Sequence, residues 1–166
     1  MAKTTAKATL LNAELAAFIQ GGLAIDAVTR DGRNFPRAAR VIACSVPPDR
    51  RQLRLILSPY GLDHFLEALK ETRAIAAVFC LASTHRAVQI KGSDARIEAI
   101  RKGDRQLALR TMRAFAADIV AIGLDEVLVP IETNYDPDAM ITIVFSPNAI
   151  YEHTPGPTAG SCIGTR

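Results

Sequence analysis

The residues in this sequence that could bind a small anion are polar and basic side chains at the ends or on the faces of predicted strands. In chain order these candidates are Arg37, Arg40, Ser58, Tyr60, His64, Arg86, Gln89 and Lys91. Guanidinium groups recognise phosphate through paired, charge-assisted hydrogen bonds, and backbone N–H groups at a helix start add further donors. Alternation along the predicted fifth strand puts Arg86 on the face opposite Gln89 and Lys91. From the residues alone, the alternative that these side chains are solvated strand edges stays open.

Other kinds of catalytic chemistry have no matching motif in the sequence. GxSxG, HExxH, CxxC and Walker-type loops are absent, so no side chain is predicted as a nucleophile, acid or base. His64, His85 and His153 lie in three different segments without ligand spacing, and no metal site is predicted from them. The three cysteines are odd in number and widely spaced, which argues against a disulfide framework, and Cys80 is predicted to be a buried thiol.

The composition indicates one globular domain and excludes several classes of protein. Of the 166 residues, 49% are hydrophobic and 22% are charged, close to the average for globular domains and unlike a disordered chain. The net charge of +3 is scattered and Trp is absent, which argues against a nucleic-acid partner. No run of 18 apolar residues and no secretory signal is present, so we expect a cytoplasmic protein without a membrane partner.

Hydrophobic periodicity predicts three helices and a larger number of short strands. The predicted helices span residues 13–20, 62–72 and 104–122. The predicted extended segments span residues 23–29, 38–46, 52–58, 74–81, 85–92 with a continuation through 95–99, 127–131, 141–145 and 148–153. In the third of these strands, Leu53, Leu55 and Leu57 alternate with Arg54 and Ile56, which predicts two opposite faces.

The order of these elements predicts the architecture. Direct links between successive strands favour antiparallel pairing, and the inserted helices favour a small barrel over repeated βαβ units. We therefore predict a mainly β fold of the α+β type, with six antiparallel strands in a barrel. The predicted organisation is a flexible N-terminus over residues 1–11, one domain over residues 12–153 and a Pro/Gly-rich tail over residues 154–166.

Four sequence blocks, in their order and spacing, resemble a known family. The blocks are GGLAIDAVTRDGRNFPRAARV, SPYGLDHFLEAL, THRAVQIKG and YEHTPGPTAG. From about residue 12 to residue 160, the chain resembles the pyridoxamine 5'-phosphate oxidase-related, FMN-binding split-barrel family, and the last two blocks are typical of one subgroup. The resemblance implies a six-stranded antiparallel split barrel that forms a two-fold homodimer with flavin at the subunit interface. A half-open barrel also leaves the apolar strand at residues 74–80 for a second copy to cover.

The resemblance also implies which residues hold the cofactor. The cofactor-binding residues that it implies are Arg37, Arg40, Val41, Ser58, Tyr60, His64, Arg86, Gln89 and Lys91. Arg40 matches the family's phosphate-binding arginine on the second strand, and Ser58 matches a hydroxyl residue at the end of the third. Asp63 and His64 stand where the family has a basic pair. His64 is therefore expected to be a supplementary phosphate donor. Asp63 would repel the phosphate unless it turns away, and one way to do so is to lie at the helix start as a capping residue.

The flavin ring is expected near the fifth strand, with Gln89 or Lys91 at its polar edge. Where the family's oxidase has Gln directly after Arg, here Ala87 follows Arg86 and the glutamine comes two residues later. The resemblance therefore implies an FMN-binding protein and a small FMN-dependent oxidoreductase whose substrate is unknown.

Two alternatives remain beside the flavin hypothesis. The first is a non-catalytic binder of haem, another tetrapyrrole or a deazaflavin, in which His64, His85 or His153 would be an axial ligand of haem. The second is a dimer without cofactor, in which the arginines are surface residues.

Overall fold

The computed structural model describes residues 9–125 and 139–166, which form three helices and ten strands. The helices are α1 (Ala13–Phe18), α2 (Asp63–Thr72) and α3 (Asp104–Ala121). The strands are β1 (Ala24–Arg30), β2 (Pro36–Val41), β3 (Ala43–Ser45), β4 (Leu53–Leu57), β5 (Ile75–Cys80), β6 (Ala87–Gly92), β7 (Arg96–Ala99), β8 (Ile141–Phe145), β9 (Ala149–Glu152) and β10 (Cys162–Thr165). The extended segment predicted at residues 127–131 and residues 1–8 of the predicted N-terminus lie outside the described residues.

The described strands pair in two antiparallel sheets. The first sheet has six strands in the order β10-β9-β6-β5-β1-β2, and the second has four in the order β3-β4-β8-β7. These two sheets do not join into one closed ladder within the described part of the chain. The predicted fold class, a mainly β split barrel with inserted helices, is confirmed. No described helix is both long enough and apolar enough to cross a membrane.

Two predicted strands divide because the chain passes from one sheet to the other. The strand predicted at residues 38–46 divides at Ile42, whose N–H donates to the carbonyl oxygen of Ile56 at 2.8 Å. Before this residue β2 pairs with β1, and after it β3 pairs with β4. The segment predicted as continuous between residues 85 and 99 divides between β6 and β7, where the carboxylate of Asp94 accepts the N–H of Ser146 at 2.7 Å.

The hydrophobic core lies between the inner faces of the two sheets. Its largest fully buried side chains include Ile25, Leu55, Phe79, Ile90, Ile143 and Phe145. Helices α1 and α2 contribute Leu15 and Phe65 to the same core. Leu11, which the sequence places at the end of the N-terminal segment, is also fully buried there. The tail contributes β10, a strand absent from the sequence prediction, which pairs with β9 at the edge of the six-stranded sheet.

Helix α3 packs against the outer face of the four-stranded sheet. A second small cluster of buried residues joins Ala108 of this helix to Ala43 and Ile56. The helix also approaches the chain before β1 so closely that a Cβ on Gly22 would lie 2.5 Å from the backbone of Ala114. Because α3 covers this face, β4 is buried on both sides along its whole length.

Candidate functional site

The outer face of the six-stranded sheet collects most of the predicted site residues that lie on strands. Along β1 and β5, alternate side chains point away from the core and are exposed or half-buried, whereas their neighbours are buried. We call this surface the open face. Its side chains in the described strands include Asp26, Val28, Ala38, Arg40, Ala76, Val78, Gln89, Lys91 and Tyr151. The open face is therefore a floor of small apolar residues with polar side chains around it.

One row of residues across the open face links Arg40 to Gln89. The strand registers pair Arg40 with Asp26, Asp26 with Val78 and Val78 with Gln89. Neighbouring strands lie about 4.8 Å apart, so three strand spacings separate Arg40 from Gln89 by roughly 14 Å. The row thus runs from the guanidinium group of Arg40, past the carboxylate of Asp26 and the apolar Val78, to the amide of Gln89.

The guanidinium group of Arg40 contacts Asp26 and Phe115 on this surface. Its Nη1 lies 3.5 Å from Oδ1 of Asp26, and its Cζ lies 5.2 Å from the centre of the Phe115 ring. Both members of the ion pair are more than a third exposed. An exposed pair at this distance contributes little to stability, so an incoming phosphate could take the place of the Asp26 carboxylate at small cost.

Ser58 and Val41 lie at the ends of β4 and β2, two strands that contact each other. Strand β3 pairs with β4 in a register that sets Ala43 opposite Ile56. Ser58 follows Leu57, the last residue of β4, whereas Val41, the buried residue that follows Arg40, pairs with Ile25 of β1. Val41 therefore offers only its backbone to a ligand, whereas Ser58 offers a hydroxyl.

The loop after Ser58 and the start of α2 contain the remaining residues of the predicted phosphate site. Tyr60 is 94% exposed, and its N–H donates to the hydroxyl oxygen of Ser58 at 3.4 Å. His64 is exposed, with Nδ1 at 3.4 Å from a carboxylate oxygen of Glu67. The N-cap of α2 is Leu62, which supplies no side-chain hydrogen bond, and Asp63 is the first helical residue instead of the cap. The capping role considered for Asp63 is therefore wrong.

Arg86 and Arg37 lie apart from this group. Arg86 comes just before β6, where its Nη2 donates to Oε1 of Glu14 at 2.9 Å and its Cζ lies 4.3 Å from the Phe18 ring of α1. Arg37 is three residues from Arg40 along β2, and therefore on the opposite face of the strand. Its guanidinium group lies 4.8 Å from the Phe35 ring.

A buried ionic cluster that the sequence analysis missed lies on the other side of the molecule. Arg54 of β4 is 4% exposed and donates to Glu98 at 2.9 Å and to Asp104 at 3.0 Å. Burial alone would raise the pKa of Glu98, but the guanidinium groups of Arg96, Arg54 and Arg101 outweigh it and lower the pKa. The available signal was one arginine within an otherwise apolar strand. The cluster joins β4, β7 and α3, which is a structural role.

The histidines and cysteines form no reactive centre among the described residues. No three His, Cys, Asp or Glu side chains there come together as a metal site. His64, His85 and His153 are all exposed. Cys80, predicted to be buried, is only half-buried because it lies on the outward face of β5; partial burial raises the pKa of its thiol, and the nearby carboxylate of Asp118 raises it further. Cys80 is therefore a neutral thiol at physiological pH and not an activated nucleophile.

Comparisons with known proteins agree with this architecture. No family model matches the sequence, and no curated protein matches it. Among solved structures, HupZ of Group A Streptococcus superposes with a TM-score of 0.54 at 11% identity, covering 90% of this chain and 99% of that one. A candidate pyridoxamine 5'-phosphate oxidase from Lactobacillus delbrueckii superposes with a TM-score of 0.50 at 14% identity, covering 85% and 93%.

These likenesses define the class of fold. The chain folds as a split barrel like that of the pyridoxamine 5'-phosphate oxidase-like proteins, as the resemblance of its sequence blocks predicts. At such low identity the similarity establishes the fold alone.

Proposed function

We propose that this chain binds FMN on the open face, in a two-fold homodimer, and acts as a small FMN-dependent oxidoreductase. The observation that carries the proposal is the row of residues across the open face, with Arg40 at one end and Gln89 towards the other. A phosphate at the Arg40 end and a planar ring over Val78 and the small apolar residues beside it would match that arrangement.

The residues at the Arg40 end have the chemistry that a phosphate needs. Arg40 supplies a guanidinium group near the end of β2, and Ser58 supplies a hydroxyl just after β4, a strand that contacts β2. The first N–H groups of α2 have no side-chain cap, so they add donors at the positive end of a ten-residue helix. Asp63 opposes this arrangement with its negative charge, and His64 adds one further donor. FMN phosphate is thus held chiefly by Arg40, Ser58 and the helix start.

The middle of the open face suits the ring of the cofactor. Val78 and the alanines around it give a flat, half-buried apolar surface, and Gln89 presents an amide at its edge. When bound, the flavin supplies the redox chemistry. The chain supplies the phosphate contacts, the surface under the ring and one hydrogen-bonding side chain at its edge.

Absorbance of the purified protein tests the cofactor directly. We expect the visible bands of oxidised flavin, either as isolated or after addition of FMN, with the flavin retained through gel filtration. Riboflavin, which lacks the phosphate, is the matched ligand and is expected to bind at least tenfold more weakly, because it forfeits charge-assisted hydrogen bonds. A Soret band would replace the flavin proposal with the haem alternative. A colourless protein that binds no added FMN would overturn it.

The proposed homodimer leads to a separate prediction about the oligomeric state in solution. The open face is apolar at its centre, and a stable two-fold interface needs about 800 Å² from each partner. Light scattering at micromolar concentration is expected to give twice the chain mass of 17.9 kDa. Val78→Arg is expected to shift the protein to monomer, since each copy would bring a buried, unpaired charge to the interface.

Ala17→Arg is the control for the dimer experiment, because Ala17 is an exposed position on α1. It is expected to leave the protein dimeric. A monomeric wild-type protein, or equal effects of Ala17→Arg and Val78→Arg, would contradict a dimer formed through the open face.

A further inference from the structure

A cavity of about 470 Å³ opens at the end of the open face that is remote from Arg40. Its volume is in the range of small-molecule sites in proteins. The lining residues are Val28, Thr29, Arg30, Asn34, Pro36, Ala74, Ile75, Ala76, Lys91, Gly92 and Asn148. They combine a floor of small apolar side chains with two cations and two amides. No carboxylate is among the lining residues in the part of the chain that the structure describes.

The two cations of the cavity are held by neutral partners. Arg30 donates from Nη1 to the amide oxygen of Asn34 at 2.7 Å, and Nζ of Lys91 lies 4.5 Å from the centre of the Tyr151 ring. By contrast, the guanidinium groups of Arg40 and Arg86 lie beside carboxylates. Neither Arg30 nor Lys91 has a carboxylate within 4 Å among the described residues, so their positive charge is not compensated locally.

The geometry allows both cations to reach one anion. The strand registers place Lys91 of β6 in one row with Ala76 of β5 and Val28 of β1, so Lys91 lies two strand spacings from β1. Arg30 lies two residues beyond Val28 along β1. These spacings separate the two Cα atoms by roughly 12 Å. Side chains as long as those of Arg and Lys can meet across that distance, above the apolar floor that Ala74 and Ala76 provide.

The walls of the cavity are fixed by hydrogen bonds from side chains to the backbone and between side chains. Thr29 donates its hydroxyl to the carbonyl oxygen of Ala74 at 2.7 Å, and Thr72 donates to that of Arg30 at 2.8 Å. Asn148 donates its N–H to the carbonyl oxygen of Lys91 at 2.9 Å and its side-chain amide to the hydroxyl of Ser93 at 3.1 Å. A cavity with fixed walls loses little conformational entropy when a ligand binds.

We propose that this cavity binds a small acidic molecule, a carboxylate or phosphate monoester on a compact apolar body, through Lys91 and Arg30. In the proposed oxidoreductase this molecule is the substrate, and that role rests on the proposed binding of FMN. Binding of the anion itself does not depend on FMN. The apolar body lies on the floor of alanines, and the acidic group lies between the two cations. The cavity therefore prefers a negatively charged ligand over a neutral one of the same shape.

Calorimetric titration with three probes of similar shape tests the proposal on the full chain. Benzoate and phenyl phosphate carry the two candidate acidic groups, and benzamide is the neutral control. We expect at least one anion to bind tenfold or more tightly than benzamide, and the tighter one identifies the acidic group. Equal binding of all three probes, or binding of none, would overturn the proposal.

Two variants locate the binding in the cavity. Lys91→Met and Arg30→Gln are each expected to weaken binding of the preferred anion by about ten- to hundredfold, because each removes a charge-assisted contact. Lys70→Met, at an exposed position of α2, is the control and is expected to leave binding unchanged. Thermal unfolding confirms that each variant is folded, and Arg30→Gln decides the question if Lys91→Met does not fold. Losses no larger than that of Lys70→Met would place the anion elsewhere.

The same titrations separate this proposal from the proposed cofactor. In protein saturated with FMN, the anion is expected to bind still, since the phosphate of FMN is assigned to the far end of the open face. Displacement of the anion by FMN would mean that the cavity belongs to the cofactor, and the proposal of a separate site would fail. Anion binding in a protein that takes up no FMN would support the anion site in the cavity and refute the proposed binding of FMN.

Discussion

Replacement of Arg54 by Met is expected to cost about 3–5 kcal/mol of folding free energy, because it leaves the buried carboxylate of Asp104 without its guanidinium partner and removes one of the three arginines that bind Glu98. Arg54 is 4% exposed and joins Glu98 to Asp104, and it also donates to the hydroxyl of Thr142 at 3.3 Å. Total stabilities of domains are about 5–15 kcal/mol, so a loss of this size is a large share. Urea denaturation of the variant and the wild type measures it.

Arg96→Met is the matched control, because Arg96 binds the same Glu98 from the surface. Its side chain is 42% exposed, and an exposed pair is worth about 1 kcal/mol or less. If Arg54→Met does not fold, Arg54→Lys keeps the charge while losing the paired contacts, and its smaller loss can be measured. Equal losses for the Arg54 and Arg96 variants would show that burial does not set the strength of this cluster.

The case of Arg54 shows why the sequence predicted the faces of the strands better than it predicted which of those faces are buried. Alternation in β4 correctly put Arg54 and Ile56 on the face opposite Leu53 and Leu55. What the alternation could not reveal is that α3, about 50 residues later in the chain, covers that face. The sequence pattern therefore predicts which residues share a face, whereas burial depends on contacts between distant segments.

The division of predicted strands has a similar cause. The segment at residues 38–46 is apolar except for Arg40 and Ser45 and carries no Gly or Pro, so no local signal marks a break at Ile42. The break exists because residues before Ile42 pair with β1 and residues after it pair with β4. Pairing partners are a property of the whole topology, which local periodicity does not encode.

The candidate site was predicted in part for the same reason. Alternation separated Gln89 and Lys91 from Arg86, and the structure places the first two on the open face and Arg86 beside α1. The row that joins Arg40 to Gln89 needs the strand order β2-β1-β5-β6, which a single sequence does not reveal. The cavity was missed because its lining comes from four strands and the loops between them.

Replacement of Arg40 by Ala is expected to weaken FMN binding by about ten- to hundredfold, because the phosphate loses a charge-assisted hydrogen bond worth roughly 1.5–3 kcal/mol. The guanidinium group lies at the end of the open face, and its pairing with Asp26 at 3.5 Å is loose enough to exchange for phosphate. Fluorescence titration of FMN measures the loss. The same titration with riboflavin is expected to show little change, since riboflavin has no phosphate to lose.

Arg51→Ala is the control for this variant. Arg51 is exposed in the turn before β4, whereas its neighbour Arg50 has a φ of 53°, a conformation in which alanine would be strained. Arg51→Ala is expected to leave the affinity for both ligands unchanged. Equal losses of FMN and riboflavin in Arg40→Ala would mean that Arg40 acts by packing on Phe115 and not on the phosphate. If the affinities for FMN and riboflavin are both unchanged in Arg40→Ala, Arg40 is not part of the phosphate site. Ser58 and the start of α2 would then hold the phosphate.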